Sequence, residues 1–316
     1  MFVSEVFAIA SACCIAITSM FLAELKGRMP LFQLARWQMG ATFVMTGIIS
    51  VATGGWRTVG PDEFWLLAGS SLVGIAIAST TYFATIYTVG PRITALLFSL
   101  TSPFALALGY LVLGETIGAQ QGLGVVLVLA GVVLAIGMPR RFRPDGERAP
   151  PMRVVAPATM AVSTPPAPPV TGRLWFGVGL GVVTAFGQAV GTLLARPAMA
   201  AGVEPFTAMS LRAGLATIIF LALAATPFGK GSPSALKPPI LALVIVAAFL
   251  GTTLGMSFLM AALQGGSVGI VSTLSSLTPV LVLPLVWIRT RERPAVSAWI
   301  GALLAIAGTA LISLGR

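Results

Sequence analysis

The sequence predicts an all-α membrane protein whose ten transmembrane helices form two inverted five-helix repeats around a central cavity. Three observations support this fold class: an apolar composition, ten long hydrophobic runs and an internal repeat. Of the 316 residues, 57% are hydrophobic and 9% are charged, whereas soluble domains carry about 25% charged residues. Because so few charges cannot cover a water-exposed surface, lipid must solvate most of the chain.

Each hydrophobic run is close to the roughly 20 residues that a helix needs to cross a bilayer. Helices are predicted rather than strands, because lipid-facing segments must satisfy their own backbone and the runs show no alternate-residue pattern. The predicted spans are 6–24, 33–53, 64–88, 93–113, 118–138, 174–195, 206–226, 239–263, 267–288 and 295–315.

Residues 139–173 separate a first predicted repeat, 1–138, from a second, 174–316. This segment contains nine Pro and six Arg. Such a composition cannot bury a core, so it predicts a flexible linker at one face of the membrane.

The two halves align when the chain is shifted by 176–177 residues. The aligned pairs are Arg36 with Arg212, Pro103 with Pro279, Glu115 with Glu292, Gly124 with Gly301, and Gly131 with Gly308. Matches that recur in order and nearly in register indicate an internal repeat. Five spans are an odd number of crossings, so the second half must start from the opposite face. Inverted repeats of this kind are typical of secondary transporters.

Several motifs carry a family resemblance across both halves. They are the spacing from Pro30 to Arg36, the string VEPFTAMSLRAG at 203–214, and Pro–acid–Gly layouts at 102–134 and 278–311. In these the chain resembles the drug/metabolite transporter superfamily, specifically its two-domain EamA type. The resemblance implies a ten-helix basket whose cavity is lined by helices one, three and four and their counterparts. Similar proteins export amino acids and metabolites or carry nucleotide sugars.

Two arginines and two glutamates are the ionisable candidates, because a charge inside the bilayer is costly unless it has a function. Arg36 and Arg212 either extend to the headgroups, form gate latches, or bind a substrate carboxylate or phosphate. The latch hypothesis pairs Arg36 with Glu292 and Arg212 with Glu115. Each glutamate alternatively orients a helix start through the helix dipole, or binds a coupling ion.

Uncharged polar residues are candidates for substrate contact, although Ser and Thr often only join helices. The main candidates are Tyr82, Ser99, Ser102, Gln188, Gln264 and Ser275, with Tyr87, Thr101, Ser272, Thr273, Ser276 and Thr278 as further members of the set. Pro103 and Pro279 are expected to kink their helices mid-span and free backbone carbonyls, either for binding or as fixed curvature.

Absent residue types exclude several classes of function. The chain has no His and only two adjacent Cys, Cys13 and Cys14, so we expect no metal and no cofactor. No GxxxxGK[ST] phosphate loop is present, which argues against ATP-driven pumping. The net charge of +10 comes from residues that flank the spans, so nucleic acid is not expected. The expected partners are a small-molecule substrate and the lipid bilayer, in a monomer or weak dimer.

Charge asymmetry predicts the orientation in an inner (plasma) membrane. The face that holds both termini carries three Lys or Arg, and the opposite face carries fourteen, including the linker. The positive-inside rule therefore places the linker in the cytoplasm and the termini outside. The family resemblance implies the reverse, with cytoplasmic termini.

These observations favour a secondary transporter that exports a small polar or amphipathic metabolite, amino-acid-like or anionic, by alternating access. The first span has no acidic residue, which disfavours proton-driven expulsion of lipophilic cations. The alternatives are a broad drug or metabolite exporter, a membrane scaffold and a lipid-modifying enzyme.

Overall fold

The computed structural model describes residues 2–25, 28–89, 94, 97–98, 100–114, 117–136, 170–225, 237–275, 277–290 and 296–314. Within these ranges all regular secondary structure is helical. The helices of the first half are α1 Phe2–Leu25, α2 Leu31–Thr53, α3 Pro61–Ser71, the π-helix π1 Leu72–Ile77, α4 Ala78–Val89, α5 Thr101–Leu113 and α6 Ala119–Ile136. Those of the second half are α7 Val170–Ala200, α8 Pro205–Ala225, α9 Pro238–Ala247, the π-helix π2 Ala248–Gly255, α10 Met256–Gly265, α11 Val268–Ser275, α12 Thr278–Thr290 and α13 Val296–Leu314.

Five helical stretches are long and apolar enough to cross a membrane by themselves. They are Val3–Leu22, Pro61–Val89, Trp175–Ala200, Pro205–Ala225 and Pro238–Gly265. Shorter apolar helices lie at Thr101–Val112, Ala119–Gly131, Val268–Val282 and Trp299–Gly308. The outer surface exposes many large apolar side chains, Trp65 and Leu111 among them, as a lipid-facing surface requires. The chain is therefore a multi-pass membrane protein, and the count of ten spans stays a prediction.

Pro103 and Pro279 lie at helix starts. Pro103 is the third residue of α5, and Pro279 is the second residue of α12. Each proline lies in a first helical turn, where a missing backbone N–H leaves no internal bond unmade. Because Ser99 and Ser276 lie outside the described residues, the expected kinks stay a prediction.

Two π-helical segments interrupt the long helices Pro61–Val89 and Pro238–Gly265. π1 and π2 occupy equivalent positions in the two halves. A π segment inserts an extra residue per turn and is found most often at functional sites. Its appearance in both halves makes the middle of these two helices the first place to look for a site.

Helices α6 and α13 pack through reciprocal glycines. A Cβ on Gly131 would collide with the backbone of Gly301 and Ala305, and a Cβ on Gly308 would collide with the backbone of Gly124 and Val128. Small residues allow this close approach of two helices. Because the later residue of each helix meets the earlier residue of the other, α6 and α13 run antiparallel.

Two other pairs of helices also run antiparallel: the equivalent helices α2 and α8, and the non-equivalent helices α5 and α11. In α2 and α8, Gly40 faces Thr217 while Gly47 faces Ser210. In α5 and α11, the hydroxyls of Ser102 and Thr273 hydrogen-bond, and Leu106 packs over Gly269. Helix α7 begins at Val170, so the last residues of the predicted linker already form helix.

Candidate functional site

A partly open cavity of about 70 Å³ lies between helices of both halves. The first half contributes α1, α2, α4 and Phe98, and the second contributes α7, π2 and α10. The lining residues are Ile15, Thr18, Leu22, Gln38, Ala78, Ser79, Tyr82, Phe83, Phe98, Thr184, Gln188, Gly251, Thr252 and Met256. No charged side chain is among them, so the cavity is a mostly apolar space with a few polar groups. Small-molecule sites have this character.

Small residues on α7 bring that helix against the first half and so present its polar side chains to the cavity. A Cβ on Gly191 would lie 2.5 Å from the Cα of Gly74 in π1, and a Cβ on Gly187 would lie 3.2 Å from the Cβ of Ala78. The Ser70 hydroxyl donates to the Gly191 carbonyl at 2.5 Å, which fixes the crossing. This packing places Gln188 against the cavity.

Polar groups around the cavity retain unused hydrogen-bonding capacity. Gln38 is 2% exposed, and its Oε1 has no hydrogen-bond partner among the described residues. The Thr18 hydroxyl is also buried without a partner in that part of the chain. Gln188 is 6% exposed and supplies a second amide. Buried polar groups are normally paired, so these atoms are placed to bind something that enters the cavity.

Aromatic side chains form one wall of the cavity. The Tyr82 ring packs edge-on against Phe98, with centroids 5.6 Å apart, and against Phe83 at 6.0 Å. Nearby, the hydroxyl of Thr184 donates to that of Thr81 at 2.8 Å, and the hydroxyls of Thr42 and Thr252 hydrogen-bond. These bonds tie helices of one half to helices of the other around the cavity.

Tightly packed side chains separate the cavity from the end of the molecule where α7 ends and α8 begins. Met199, Val203 and Leu263 are fully buried there in one apolar cluster. At the same end the hydroxyls of Ser50 and Thr207 hydrogen-bond at 2.6 Å. Among the described residues, this end of the helix bundle is therefore tightly packed.

Arg212 is completely buried on α8 and does not line the cavity. Its Nη1 donates to the sulfur of Met260 at 3.2 Å, whereas Nε and Nη2 have no partner among the described residues. Extension of this side chain to the headgroups is therefore wrong, because the guanidinium ends inside the protein. Arg36, its equivalent in α2, is half-buried and also lies away from the cavity lining.

The gate latches stay predictions. Glu115 and Glu292 both lie outside the described residues, as does Ser99. Within the described ranges no three potential metal-ligating side chains come together.

Of the predicted polar candidates that the structure describes, Tyr82 and Gln188 line the cavity, and Ser99 and Ser276 lie outside the described residues. Ser102 joins α5 to α11 through Thr273. Ser275 is buried at the end of α11, away from the lining. Gln264 is exposed, and its Nε2 donates to the Val203 carbonyl at 2.9 Å, so it ties two helix ends together. Ser102 and Gln264 thus join helices, whereas the Ser275 hydroxyl is buried without a partner among the described residues, and substrate contact by these residues stays a prediction.

Sequence reasoning missed Gln38, Thr18, Thr252 and Met256. Gln38 had a usable signal, because an amide inside an apolar run must find a polar environment. Threonine and methionine are common in membrane helices that bind nothing, and they carry no such signal.

Comparison with known proteins agrees with this architecture. The sequence matches the EamA-like transporter family over residues 3–137 and 175–314. A crystal structure, titled only as that of a protein, superposes with a TM-score of 0.72 at 16% sequence identity, covering 98% of this chain and 95% of that one. At that identity the likeness concerns the fold alone. No curated protein matches the chain.

The two matched segments correspond to the two halves deduced from the internal repeat, and they leave out the whole Pro- and Arg-rich linker. The expected relation to the drug/metabolite transporter superfamily is thereby confirmed. The chain belongs to the EamA-like transporter family of that superfamily.

Proposed function

We propose that the chain is a secondary transporter that exports a small polar or amphipathic metabolite through the cavity by alternating access. The observation that carries this proposal is the position of the cavity, which is lined by helices of both halves and holds the amides Gln38 and Gln188. Transporters built from repeats bind substrate at the repeat interface, near the bilayer midplane.

Antiparallel contacts between equivalent helices support an inverted arrangement of the two halves, in ten spans. If the halves rock against one another, the tightly packed end beside α7 and α8 opens as the other end closes. The π segments flank the cavity in both halves, where they weaken regular helix bonding and provide points at which the long helices can bend.

The character of the cavity favours a neutral or zwitterionic substrate with an apolar portion, such as an amino acid. Transfer of a net charge into a lining without charged groups costs several kcal/mol by order of magnitude. The aromatic wall at Tyr82 and Phe98 suits an apolar side chain, whereas the amides suit polar atoms. The lining has no carboxylate that would attract a lipophilic cation, so a broad exporter of cationic drugs is the weaker candidate.

The test is counterflow in proteoliposomes, with labelled amino acids and nucleotide sugars screened in turn. At least one solute is expected to exchange. Gln188→Leu should reduce its rate about three- to tenfold, as loss of one buried hydrogen bond implies. The matched control is Gln120→Leu, an exposed position at the start of α6. Absence of counterflow for every solute, or an unchanged rate in Gln188→Leu, contradicts the proposal.

The proposed orientation in the inner (plasma) membrane follows the charge count, with the linker in the cytoplasm and both termini outside. The protein is proposed to act as a monomer, since Gly131, Gly191, Gly251 and Gly308 pack within the chain. A fluorescent reporter fused after Arg316 decides the orientation, because fluorescence on the cytoplasmic side overturns it.

A further inference from the structure

Arg212 is a buried cation without an anion among the described residues. No part of the side chain is exposed, Nε and Nη2 have no hydrogen-bond partner, and no described carboxylate forms an ion pair with it. Its one side-chain contact with an acceptor is the Met260 sulfur, 3.2 Å from Nη1. A thioether is a weak acceptor, and a guanidinium carries five N–H donors. Most of the hydrogen-bonding capacity of Arg212 is therefore unused.

This arrangement is not a requirement of the fold. The equivalent residue of the first half, Arg36, is half-buried. A buried charge without compensation is strongly unfavourable, since desolvation costs several kcal/mol by order of magnitude. No described residue offsets this cost at Arg212, so the guanidinium is free to pair with an anionic group that reaches it.

The guanidinium lies just beyond the cavity wall. Met256 lines the cavity, and Met260, one helical turn further along α10, covers Nη1. Gly74 lies on the other side of the guanidinium. A Cβ added at Gly74 would lie 3.2 Å from the Arg212 Nη2 and 3.7 Å from the carbonyl oxygen of Gly187. Gly187 immediately precedes Gln188, which lines the cavity. Gly74 therefore places no side chain between the guanidinium and Gly187.

We propose that Arg212 binds a carboxylate of the transported solute, with Met260 as a movable cover. This inference rests on the proposed function and names the chemical class of its substrate. A carboxylate matches the planar fork of a guanidinium and can accept two parallel hydrogen bonds from Nη and Nε donors. Methionine is unbranched and adopts many side-chain conformations, so Met260 can swing aside without movement of the helix backbone.

The described residues of the cavity lining carry no charge, as expected if the charge that binds the carboxylate lies behind the lining. The amides and aromatic rings contact the uncharged part of the solute, and the anionic group alone reaches the arginine behind Met260. A solute without a carboxylate fits the cavity but leaves Arg212 unpaired, so it is bound more weakly.

The test uses the full chain, purified in detergent, and matched pairs of small probes: phenylalanine with phenylalaninamide, leucine with leucinamide, and benzoate with benzamide. The melting temperature is followed as each probe is titrated. At least one carboxylate is expected to raise the melting temperature while its amide does not. Arg212→Gln should raise the apparent dissociation constant for that carboxylate about 10- to 100-fold, as loss of charged hydrogen bonds implies. The matched control, Arg36→Gln, should leave it unchanged.

Two further variants keep the proposal falsifiable if Arg212→Gln does not fold. Arg212→Lys keeps the charge but not the planar fork and should bind the carboxylate with intermediate affinity. Met260→Ala removes the cover and should bind it at least as tightly as the parent. Stabilisation by amides as strong as by carboxylates, no stabilisation by any carboxylate, or an unchanged response in the Arg212 variants overturns the inference. Counterflow of an uncharged solute that is insensitive to Arg212 would leave the proposed function intact while removing this one.

Discussion

The two halves of the molecule share a scaffold and differ in chemistry. Equivalent glycines, Gly131 and Gly308, make the same contacts with reversed partners, and the π segments 72–77 and 248–255 interrupt equivalent helices. The two arginines, by contrast, differ in burial, since Arg212 is enclosed and Arg36 is half-buried. The helix packing is thus symmetric between the halves, whereas the burial of the equivalent arginines is not.

The same contrast appears where each π segment meets the neighbouring half. Gly74 in π1 faces the backbone of Gly191, but its equivalent Gly251 in π2 faces the side chain of Thr18. Backbone cannot yield to an added methyl group, while a side chain can be shortened by mutation. The contact at Gly74 should therefore tolerate an added methyl group less well than the contact at Gly251.

The largest effect is expected from Gly74→Ala. The new Cβ would lie 2.8 Å from the Gly191 Cα and 3.2 Å from the Arg212 Nη2, so two helix backbones must separate. We expect a loss of about 3 kcal/mol in the free energy of unfolding, the upper end of overpacking effects. Unfolding in a denaturing detergent, followed by circular dichroism, measures it. If Gly251→Ala destabilises the protein as much as Gly74→Ala or more, the proposed difference between the two glycine contacts is contradicted.

A symmetric loss is expected from Gly131→Ala and Gly308→Ala. Each added Cβ meets backbone atoms of the opposite helix, so each should cost about 1–3 kcal/mol. Gly122→Ala is the matched control in α6, because a Cβ there has open space around it. It should be neutral or stabilise by up to about 1 kcal/mol, the difference in helix propensity. Clearly unequal losses at Gly131 and Gly308 would show that the scaffold is not symmetric.

A smaller, diagnostic effect is expected when Gly251→Ala is combined with Thr18→Ala. The Cγ2 and Oγ1 atoms of Thr18 would lie 2.6 and 2.9 Å from the new Cβ, and the second substitution removes both. The double variant should recover about 1 kcal/mol relative to the sum of the single variants, within the range for contacting residues. If the stability effects of the two substitutions are additive in a double-mutant cycle, the strain in Gly251→Ala does not come from contact with Thr18.

The smallest effects are expected from the arginines in the absence of solute. Arg212→Met removes an unpaired buried charge while keeping most of the side-chain volume, so it should stabilise the protein by about 1 kcal/mol. Arg36→Met, at a half-buried position, should change stability by less than about 0.5 kcal/mol. Thermal unfolding of the two variants beside the parent protein measures both. A clear destabilisation by Arg212→Met would mean that Arg212 is a structural residue.

The fold could be predicted further than the site. Hydrophobic runs and the shift that aligns Arg36 with Arg212 locate the helices and the two halves, because bilayer thickness fixes helix length. The glycines at 124, 131, 301 and 308 also identify an interface from spacing alone. The π segments carry no composition signal, and the helix starts at Pro103 and Pro279 look like kinks in the sequence.

Site residues were harder to predict, since a side chain's role depends on the direction in which its helix faces. Gln188 and Gln264 are both amides within or beside apolar runs, yet the first lines the cavity and the second ties two helix ends. Arg212 is fully buried and Arg36 is half-buried, and nothing in the flanking sequences predicts this difference in burial. Gln38 is hard to single out because Arg36, two residues earlier, is the stronger ionisable candidate in the same span.

The measurement that tests the central claim most directly is the accessibility of one cavity position from each side of the membrane. Cys13 and Cys14 are replaced by serine, and Ser79, which lines the cavity, is replaced by cysteine. A membrane-impermeant maleimide is then applied from either face of proteoliposomes, with and without a solute that shows counterflow. Alternating access predicts labelling from both faces, with solute changing the two rates in opposite directions. Labelling from one face under every condition would contradict it, because the cavity would then be a fixed pocket.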